Sequence, residues 1–469
     1  MDKPHFLAHL SCFFCMLLVL FSLTLFDAVN GTTVHAATRV TSAKKFDPTT
    51  ALTIKPNWAT KQRLNVTHGN VSAATPPCLT NTTEPRCYSP QQIRNAYNIQ
   101  PLLNAGITGK GHTVVLIDFA TSTSLANDVH LYDQLYGLKD PKINVISPFA
   151  PPSINPGLYT ETALDIETVH SIAPDATIDL VLANVDFSFQ PQDFLSGALA
   201  VTQYAIDHNL GDVISQSFGV GESCAGSAYL QQEQQVFSKA RAKGITVLAS
   251  SGDSGAAATV CKGGFVTNGK GVSLPSSDPL VTSVGGTTLN ATVGTGKYVA
   301  ETTWNESNAG VGATGGGIST LFPVPSYQKG IAGLTGRGVP DVAFDADPLT
   351  GVPIVFSQQG ATYIVSVGGT SVGSPAWAAV VVLANQYAGK RLGFLNDALY
   401  RLSGSASYAR GFHDITTGNN TITIPEFDPT TGKIIFVLIP GYNAGPGWDA
   451  VTGVGTPKVS TLVALLRAR

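Results

Sequence analysis

The chain has 469 residues, of which only 13% are charged and 48 are glycine, and its formal net charge at pH 7 is −3. This length is ample for a large hydrophobic core, and the composition favours a compact, loop-rich α/β protein over a helical bundle. The near-neutral charge excludes a strongly basic nucleic-acid-binding protein, so we expect no nucleic-acid partner.

The first 36 residues have the features of an export signal. Lys3 precedes an apolar run over residues 10–26, and Val34 and Ala36 supply the small residues of a cleavage site. We therefore predict a signal peptide at 1–36 and a secreted, extracellular protein that has no membrane attachment after cleavage. An uncleaved membrane anchor is the alternative, because the apolar run is long.

Four of the six cysteines lie beyond this segment, at Cys78, Cys87, Cys224 and Cys261. An even number of cysteines in an exported chain favours disulfide bonds. Pairing Cys78 with Cys87 would close a short loop, and pairing Cys224 with Cys261 a long one, although the sequence leaves other pairings open. Because these four cysteines include no CxxC pair and have no neighbouring histidines, a zinc site is not expected.

Residues 37–87 are rich in Thr, Asn, Pro and Ala and show no sustained hydrophobic period. We interpret them as a short leader or an extended N-terminal arm that is partly disordered. Regular structure is expected from residue 88 onwards, where the stretch 88–97 indicates the start of a helix. Since no interior linker or tandem repeat interrupts residues 88–469, we predict one domain there.

Buried strands alternate with helices in this domain. Apolar runs predict four strands, at 111–118, 176–183, 213–219 and 245–250. Helical stretches lie between them, for example at 229–242. Such alternation predicts an α/β fold with a central, mostly parallel sheet and helices on both faces. Ligands bind at the carboxyl ends of the strands in such sheets, and three polar residues stand there: Asp118, Ser217 and Asp253.

Two acidic residues, Glu161 and Asp165, are four positions apart, which places them on one face of a helix. Like charges this close repel each other, so one carboxyl should hold a proton and have a raised pKa. A glutamate tuned in this way can take a proton from a hydroxyl and return it to a leaving amine. Two acids on a solvated helix face would show the same spacing.

Asp253 stands in the segment 250–255, Ser-Ser-Gly-Asp-Ser-Gly, just after a predicted strand. One interpretation is a simple Asx turn. The other is that a protonated Asp253 donates a hydrogen bond to a developing oxyanion. That role requires acidic pH, because a carboxylate would repel the negative charge.

The segment 368–375, Gly-Gly-Thr-Ser-Val-Gly-Ser-Pro, precedes an apolar helix at 376–384. The glycines allow a sharp turn, and we expect Pro375 in the first turn of the helix, where its missing N–H leaves no gap. Ser371 would then lie near the positive end of a helix dipole, among unpaired N–H groups. That position suits a nucleophile whose attack creates an oxyanion.

A nucleophilic serine needs a base, and histidine is the usual candidate. The chain order Asp118, His170, Ser371 matches that of subtilisin-like enzymes, but His170 lacks the flanking residues that those enzymes show. We therefore interpret His170 as a packed or surface residue, and the acidic pair as the better source of a base.

In order and together, these motifs resemble the sedolisins, the serine-carboxyl peptidases of the kumamolisin-like kind, over residues 88–469. Further matching stretches are 275–279, 284–287, 315–319 and 340–343. The resemblance implies a subtilisin-like fold and a monomeric endopeptidase that cleaves protein or peptide substrates at low pH through an acyl-enzyme. By family role, the nucleophile, the general base and acid, its orienting partner and the oxyanion donor are Ser371, Glu161, Asp165 and Asp253.

The resemblance also implies one structural Ca²⁺ ion near the carboxyl end of the chain. Sedolisins bind it through an Asp-Ile pair and a Gly-x-Gly-x-Asp turn, which correspond here to 414–415 and 445–449. Calcium prefers hard oxygen ligands. The ligands expected from this match are the carboxylates and carbonyls of Asp414, Ile415, Gly445, Gly447 and Asp449.

The sequence departs from the family in two ways. Relatives carry a long folded pro-domain, whereas a short stretch precedes residue 88 here. Asp118 and Phe218 stand where kumamolisin-like enzymes have a Glu and a Trp, and Phe218 cannot donate a hydrogen bond. We therefore expect weaker or pH-shifted activity. The alternatives are a non-catalytic, peptide-binding relative and a subtilisin-type protease that uses His170.

Overall fold

The computed structural model describes residues 57–67, 70–71, 76–185, 191–262, 265–428 and 433–467. The predicted signal peptide, with its apolar run, lies outside the described residues, and so do residues 37–56 of the arm. Within the described ranges, no helix is both long enough and apolar enough to span a bilayer.

The strands within these ranges are β1 (Asn57–Arg63), β2 (Val66–Thr67), β3 (Asn70–Val71), β4 (Thr113–Asp118), β5 (Lys142–Ile146), β6 (Thr177–Leu182), β7 (Val213–Gln216), β8 (Val220–Gly221), β9 (Thr246–Ser250), β10 (Ala257–Lys262), β11 (Phe265–Lys270), β12 (Ser273–Leu274), β13 (Thr282–Ala291), β14 (Tyr298–Thr303), β15 (Gly317–Ile318), β16 (Gly338–Val339), β17 (Val342–Asp345), β18 (Val352–Gln358), β19 (Ala361–Gly368), β20 (Phe412–His413), β21 (Ile422–Asp428), β22 (Lys433–Ile439) and β23 (Thr456–Pro457). The α-helices are α1 (Pro90–Ala96), α2 (Gln100–Asn104), α3 (Leu125–Tyr136), α4 (Pro156–Ile172), α5 (Pro191–Asp207), α6 (Ser227–Ala242), α7 (Thr370–Ala388), α8 (Asn396–Ser403), α9 (Tyr408–Gly411) and α10 (Val459–Arg467).

The centre of the fold is an eight-stranded sheet with the spatial order β14-β13-β9-β7-β4-β6-β5, in which β17 also pairs with β13. All of its strand pairs are parallel except β13 with β14. The four strands predicted from the sequence are β4, β6, β7 and β9, which are the middle of this sheet. The predicted α/β fold with a mostly parallel sheet is therefore confirmed.

Side chains of β4 alternate between two hydrophobic clusters, one on each face of the sheet. Val114 and Leu116 belong to one cluster, and Val115 and Ile117 belong to the other. A strand that is buried on both faces reads as a continuous apolar run rather than as an alternating pattern. This is why the central strands were visible in the sequence.

Helices cover both faces of the sheet. Residues of α4, α7 and α10 lie in the first cluster, and residues of α5 and α6 lie in the second. Helix α7 is buried from residue 370 to residue 385, and α4 is buried from residue 158 to residue 172. Because these two buried helices pack against each other, polar side chains on their facing sides are forced into contact away from bulk water.

Part of the N-terminal arm is a strand. β1 pairs antiparallel with β19 in a three-stranded sheet of order β1-β19-β18. β19 ends at Gly368, directly before α7, so the arm braces the strand that leads into the segment of Ser371. An edge strand is held by backbone hydrogen bonds and needs no apolar period, which explains why the sequence pattern did not show it.

Both disulfide bonds considered from the sequence are formed, between Cys78 and Cys87 and between Cys224 and Cys261. The first closes a short loop in which the Cys87 amide also donates to the Cys78 carbonyl. The second joins a short 3-10 helix, Glu222–Cys224, to β10. The pairing that the sequence left open is thereby decided.

Candidate active site

Ser371 is the second residue of α7, and 6% of it is exposed. The residue before the helix is Gly369, with φ of 104°, a backbone conformation that favours glycine. A Cβ on Gly369 would lie 2.6 Å from Asp253 Oδ2. The glycine therefore allows the turn before Ser371 to approach the Asp253 carboxyl closely.

Pro375 lies in the second turn of α7, so the expectation that it occupies the first turn is wrong. The helix begins at Thr370 because the positive φ of Gly369 provides the turn before it, and the motif itself is helical. In this position Pro375 cannot donate a hydrogen bond to the carbonyl of Ser371, four residues earlier. The Ser217 hydroxyl lies 3.3 Å from that carbonyl oxygen.

Glu161 and Asp165 lie on α4, and both are completely buried. The interpretation of this pair as acids on a solvated helix face is therefore wrong. Burial raises the pKa of Glu161 well above its ordinary value, and the charges of Asp165, Asp118 and Asp253 add to this, whereas the nearby Ser371 hydroxyl lowers it. Within the described part of the chain, neither Glu161 carboxyl oxygen has a hydrogen bond of standard geometry, so the serine lies beside this carboxyl without a fully formed bond.

Asp165 is held by the Ser217 hydroxyl, whose oxygen lies 2.9 Å from Oδ1 and 3.1 Å from Oδ2. Burial raises the pKa of Asp165 well above its ordinary value, the charge of Asp118 adds to this, and the bond from Ser217 opposes it. Ser217 directly follows β7. The sequence placed it at a strand end but assigned it no role, and the convergence of polar strand ends was the available signal.

Asp118 ends β4 and contributes a third buried carboxyl to this cluster. Burial raises the pKa of Asp118 to about 7, and its Oδ2 has no hydrogen-bond partner among the described residues. Phe218 packs against the rings of Phe119 and Phe194, with centroid distances of 5.1 and 5.6 Å. Asp118 thus acts on the acidic pair through its charge, and Phe218 belongs to the hydrophobic cluster on the other face of the sheet.

Asp253 lies in the loop after β9 and faces the start of α7. Its Oδ1 accepts hydrogen bonds from the Thr370 amide and the Thr370 hydroxyl, both at 2.8 Å. Burial raises the pKa of Asp253, and the two bonds from Thr370 oppose this rise without cancelling it. A simple Asx turn does not account for bonds to a residue so distant in the chain. This role of Thr370 was not expected from the sequence.

His170 takes no part in this cluster. It is buried, and its Nε2 lies 2.9 Å from Asp133 Oδ1 on α3. It follows Glu161 by nine positions on α4, which corresponds to a rotation of about 180° and a rise of about 13 Å. His170 therefore points away from Ser371 and does not supply its base, in agreement with the interpretation as a packed histidine.

The expected calcium ligands lie on two loops that the fold brings together. The Gly447 amide lies 3.1 Å from both carboxyl oxygens of Asp414, and the Gly445 amide donates to Asp449 Oδ2 at 3.1 Å. No hydrogen bond from a described residue takes up the carbonyls of Ile415, Gly445 or Gly447.

These five residues fit a calcium ion by their chemistry, because two carboxylates and three available carbonyls are hard oxygen ligands. In the part of the chain that the structure describes, no group of three or more His, Cys, Asp or Glu side chains is placed to hold a metal. An ion at this site would therefore depend on the backbone oxygens as well as on the two carboxylates.

Comparisons with known proteins extend over most of the domain. Residues 159–398 match the Subtilase family. Kumamolisin of Bacillus sp. (strain MN-32) is 35% identical over 403 residues, which are 81% of this chain and 64% of that protein. Sedolisin of Pseudomonas sp. (strain 101) is 34% identical over 66% of this chain and 49% of that protein. Tripeptidyl-peptidase 1 of Rattus norvegicus is 30% identical over 65% of this chain and 51% of that protein.

A solved structure of Pseudomonas sedolisin, a serine-carboxyl proteinase complexed with pseudo-iodotyrostatin, is similar with a TM-score of 0.68 and 29% identity. The match between the two structures covers 83% of this chain and 100% of the sedolisin chain. The chain spans from about half to just under two thirds of the length of the three curated relatives named here. From the family match, the relatives and the shared fold, the chain belongs to the sedolisin family and carries a subtilisin-like domain of the Subtilase type.

Proposed function

We propose that the chain is a serine-carboxyl endopeptidase that hydrolyses peptide bonds of proteins at acidic pH. One observation carries this proposal: the Ser371 side chain, at the start of α7, lies beside the buried carboxyl of Glu161. Because burial and neighbouring carboxyls raise the pKa of Glu161, this group can both accept and return a proton near the pH at which it titrates.

In the proposed acylation step, ionised Glu161 accepts the Ser371 proton while the serine oxygen attacks the substrate carbonyl carbon. Glu161 then gives the proton to the leaving amine, and the acyl-enzyme remains on Ser371. Water hydrolyses this ester with Glu161 again as base. Asp165 orients Glu161, and the repulsion between three buried carboxyls keeps at least one proton in the cluster.

In the same proposal, Asp253 donates a hydrogen bond to the oxyanion that forms on the substrate. The two bonds from Thr370 hold the carboxyl in place, and the N–H groups at the start of α7 add favourable partial charge. A donor of this kind contributes about 10²–10³ in rate. Since only protonated Asp253 can donate, the proposal implies activity at acidic pH.

The relatives support peptide substrates, and of the three named above only tripeptidyl-peptidase 1 has a name that states a mode of cleavage. Kumamolisin has the higher identity and covers more of this chain than tripeptidyl-peptidase 1 does, so we propose endopeptidase rather than tripeptidyl-peptidase activity. The two disulfide bonds support an extracellular protein. Secretion through residues 1–36 and a monomeric state remain part of this proposal.

We also propose that Asp414, Ile415, Gly445, Gly447 and Asp449 hold one Ca²⁺ ion. When bound, the ion would neutralise the two carboxylates and tie their loops together, and it takes no part in the proton transfers.

The test uses an internally quenched peptide with both ends blocked, assayed from about pH 2 to about pH 8. Glu161→Gln and Ser371→Ala should each lower kcat by at least about 10²–10⁴, while His170→Gln should leave kcat within a few-fold. Cleavage of the blocked peptide supports the endopeptidase, and release of tripeptides from free amino ends alone would refute it. A wild-type chain that neither cleaves peptides nor reacts at Ser371 with a fluorophosphonate probe is a non-catalytic relative.

A further inference from the structure

Ser217 and Pro375 form a feature that the proposed triad does not use. Because Pro375 has no N–H, the carbonyl of Ser371 lacks the helical hydrogen bond that it would otherwise accept. Ser217 is buried, and its hydroxyl oxygen lies 3.3 Å from that carbonyl oxygen. A side-chain donor to the backbone of the nucleophile is therefore supplied by Ser217, the residue directly after β7.

The same hydroxyl also serves Asp165, whose carboxyl oxygens lie at 2.9 and 3.1 Å. A serine hydroxyl has a single hydrogen, so Ser217 can donate to the Asp165 carboxyl or to the Ser371 carbonyl, but only weakly to both. The two shorter distances identify Asp165 as the main acceptor in this arrangement.

The proton on Asp165 decides which acceptor is used. An ionised carboxylate only accepts, so it takes the hydrogen of Ser217. A protonated Asp165 can donate its own O–H to Ser217, and the hydrogen of Ser217 is then free to turn to the Ser371 carbonyl. Glu161 does not compete for these bonds, because neither of its oxygens has a hydrogen bond of standard geometry.

Among the described residues, the charged groups that shift the pKa of Glu161 and of Asp165 are all acidic. The charge of Asp118, at the end of β4, raises the pKa of Asp165, and the charges of Asp165, Asp118 and Asp253 raise the pKa of Glu161 on α4. No cation is among the groups that shift the pKa of either member of the pair. The surroundings therefore favour a protonated carboxyl at acidic pH.

We propose that Ser217 is a positioning residue that transmits the protonation state of Asp165 to the backbone of the nucleophile Ser371. This inference rests on the proposed function. At acidic pH the Ser217 hydroxyl bonds to the Ser371 carbonyl and holds the first turn of α7 against β7. When Asp165 loses its proton, the hydroxyl turns to the carboxylate and the carbonyl loses its donor.

Ser215, which lies in β7 two residues before Ser217, provides a matched control. Its hydroxyl oxygen lies 2.8 Å from that of Ser374, and both residues are completely buried. Ser215→Ala therefore removes a hydroxyl contact between β7 and α7 without touching Asp165 or the carbonyl that Pro375 leaves free.

The test is a double-mutant cycle between Ser217→Ala and Pro375→Ala, because alanine at 375 gives the Ser371 carbonyl a helical N–H. Ser217→Ala should lower kcat about 10-fold and change KM less than about 2-fold. In the Pro375→Ala background, Ser217→Ala should lower kcat by no more than about 3-fold. Ser217→Thr keeps the hydroxyl and should stay within about 3-fold of the wild type, as should Ser215→Ala.

The same cycle read by thermal unfolding does not depend on peptidase activity. At about pH 4, Pro375→Ala should restore part of the melting temperature that Ser217→Ala loses, and this non-additivity should shrink as the pH rises to about 8. A wild type without peptidase activity would refute the proposed function while leaving this measurement intact. Equal losses in both backgrounds by both readouts, or an equal loss of kcat in Ser215→Ala, would overturn the role of Ser217.

Discussion

Asp278 tests the claim that burial raises carboxyl pKa values in this protein, at a position apart from the proposed catalytic residues. It lies between β12 and β13 and is completely buried. Its carboxyl accepts hydrogen bonds from the Leu280 amide at 2.7 Å and from the Gln234 side chain. Burial nevertheless raises the pKa of Asp278 from 3.8 to about 7, although those bonds and the charge of Arg337 lower it.

A raised pKa in the folded state means that the fold holds a proton that the unfolded chain has released. The free energy contributed by Asp278 is therefore fully present below about pH 4 and is lost as the pH rises to about 7. A shift of about three pH units at 1.36 kcal/mol per unit corresponds to about 4 kcal/mol. This value is an upper limit, because Glu233, whose own pKa is raised by burial and by Asp278, titrates nearby.

The assay compares guanidinium unfolding of the wild type and Asp278→Asn at about pH 4 and about pH 8. Asparagine keeps the shape of the side chain but stays neutral. Between the two pH values, the unfolding free energy of the wild type should therefore fall by up to ~4 kcal/mol more than that of the variant. Asp397→Asn is the control, since Asp397 is an exposed partner of Arg241 at 3.1 Å, and it should change this difference by no more than about 1 kcal/mol.

One result would refute the reasoning. If the wild type and Asp278→Asn have the same pH dependence of the unfolding free energy, the Asp278 carboxyl is ionised in the fold and the hydrogen bonds outweigh burial. The same argument would then fail for Glu161 and Asp165, whose pKa values are raised chiefly by burial.

Three further predictions concern the proposed catalytic and calcium sites and the longer disulfide loop. Asp253→Asn keeps a hydrogen-bond donor at every pH and should extend activity to higher pH, whereas Asp253→Ala should lower kcat by about 10²–10³. Identical pH–rate profiles of the wild type and Asp253→Asn would contradict this prediction. Asp449→Ala should abolish the rise in melting temperature that added Ca²⁺ causes in the wild type, and a wild type indifferent to both Ca²⁺ and EGTA would refute the calcium site. Replacing Cys224 and Cys261 together by alanine opens a loop with a sequence separation of 37 and should reduce the unfolding free energy by about 4 kcal/mol. An unchanged midpoint of guanidinium unfolding would disprove this prediction.

The middle of the central sheet was predictable because its four strands are almost entirely buried. β4, β6, β7 and β9 appear as mostly apolar runs, and such runs depend only on residues adjacent in the chain. The strand β1 was not predictable in this way. It is an edge strand whose backbone partners lie in β19, about 300 residues later in the chain, and its side chains carry no apolar period.

The candidate site was partly predictable for a similar reason. The spacing of Glu161 and Asp165 placed both acids on one helix face, and the strand ends placed Asp118, Ser217 and Asp253 at one edge of the sheet. The position of Pro375 was misjudged, because the start of α7 depends on the backbone conformation of Gly369, which residue type alone does not determine.

The sequence by itself determined the four middle strands of the sheet, the nucleophile motif and the resemblance to the sedolisins, because local periodicity and short motifs report on neighbouring residues. Only the tertiary structure decided that Glu161 and not His170 lies beside Ser371, that Thr370 holds Asp253, and that Ser217 serves both a carboxyl and a backbone carbonyl. The physical reason is that pKa values and hydrogen bonds depend on burial. Groups far apart in the chain, on α4, β7 and α7, provide that burial once they are packed together.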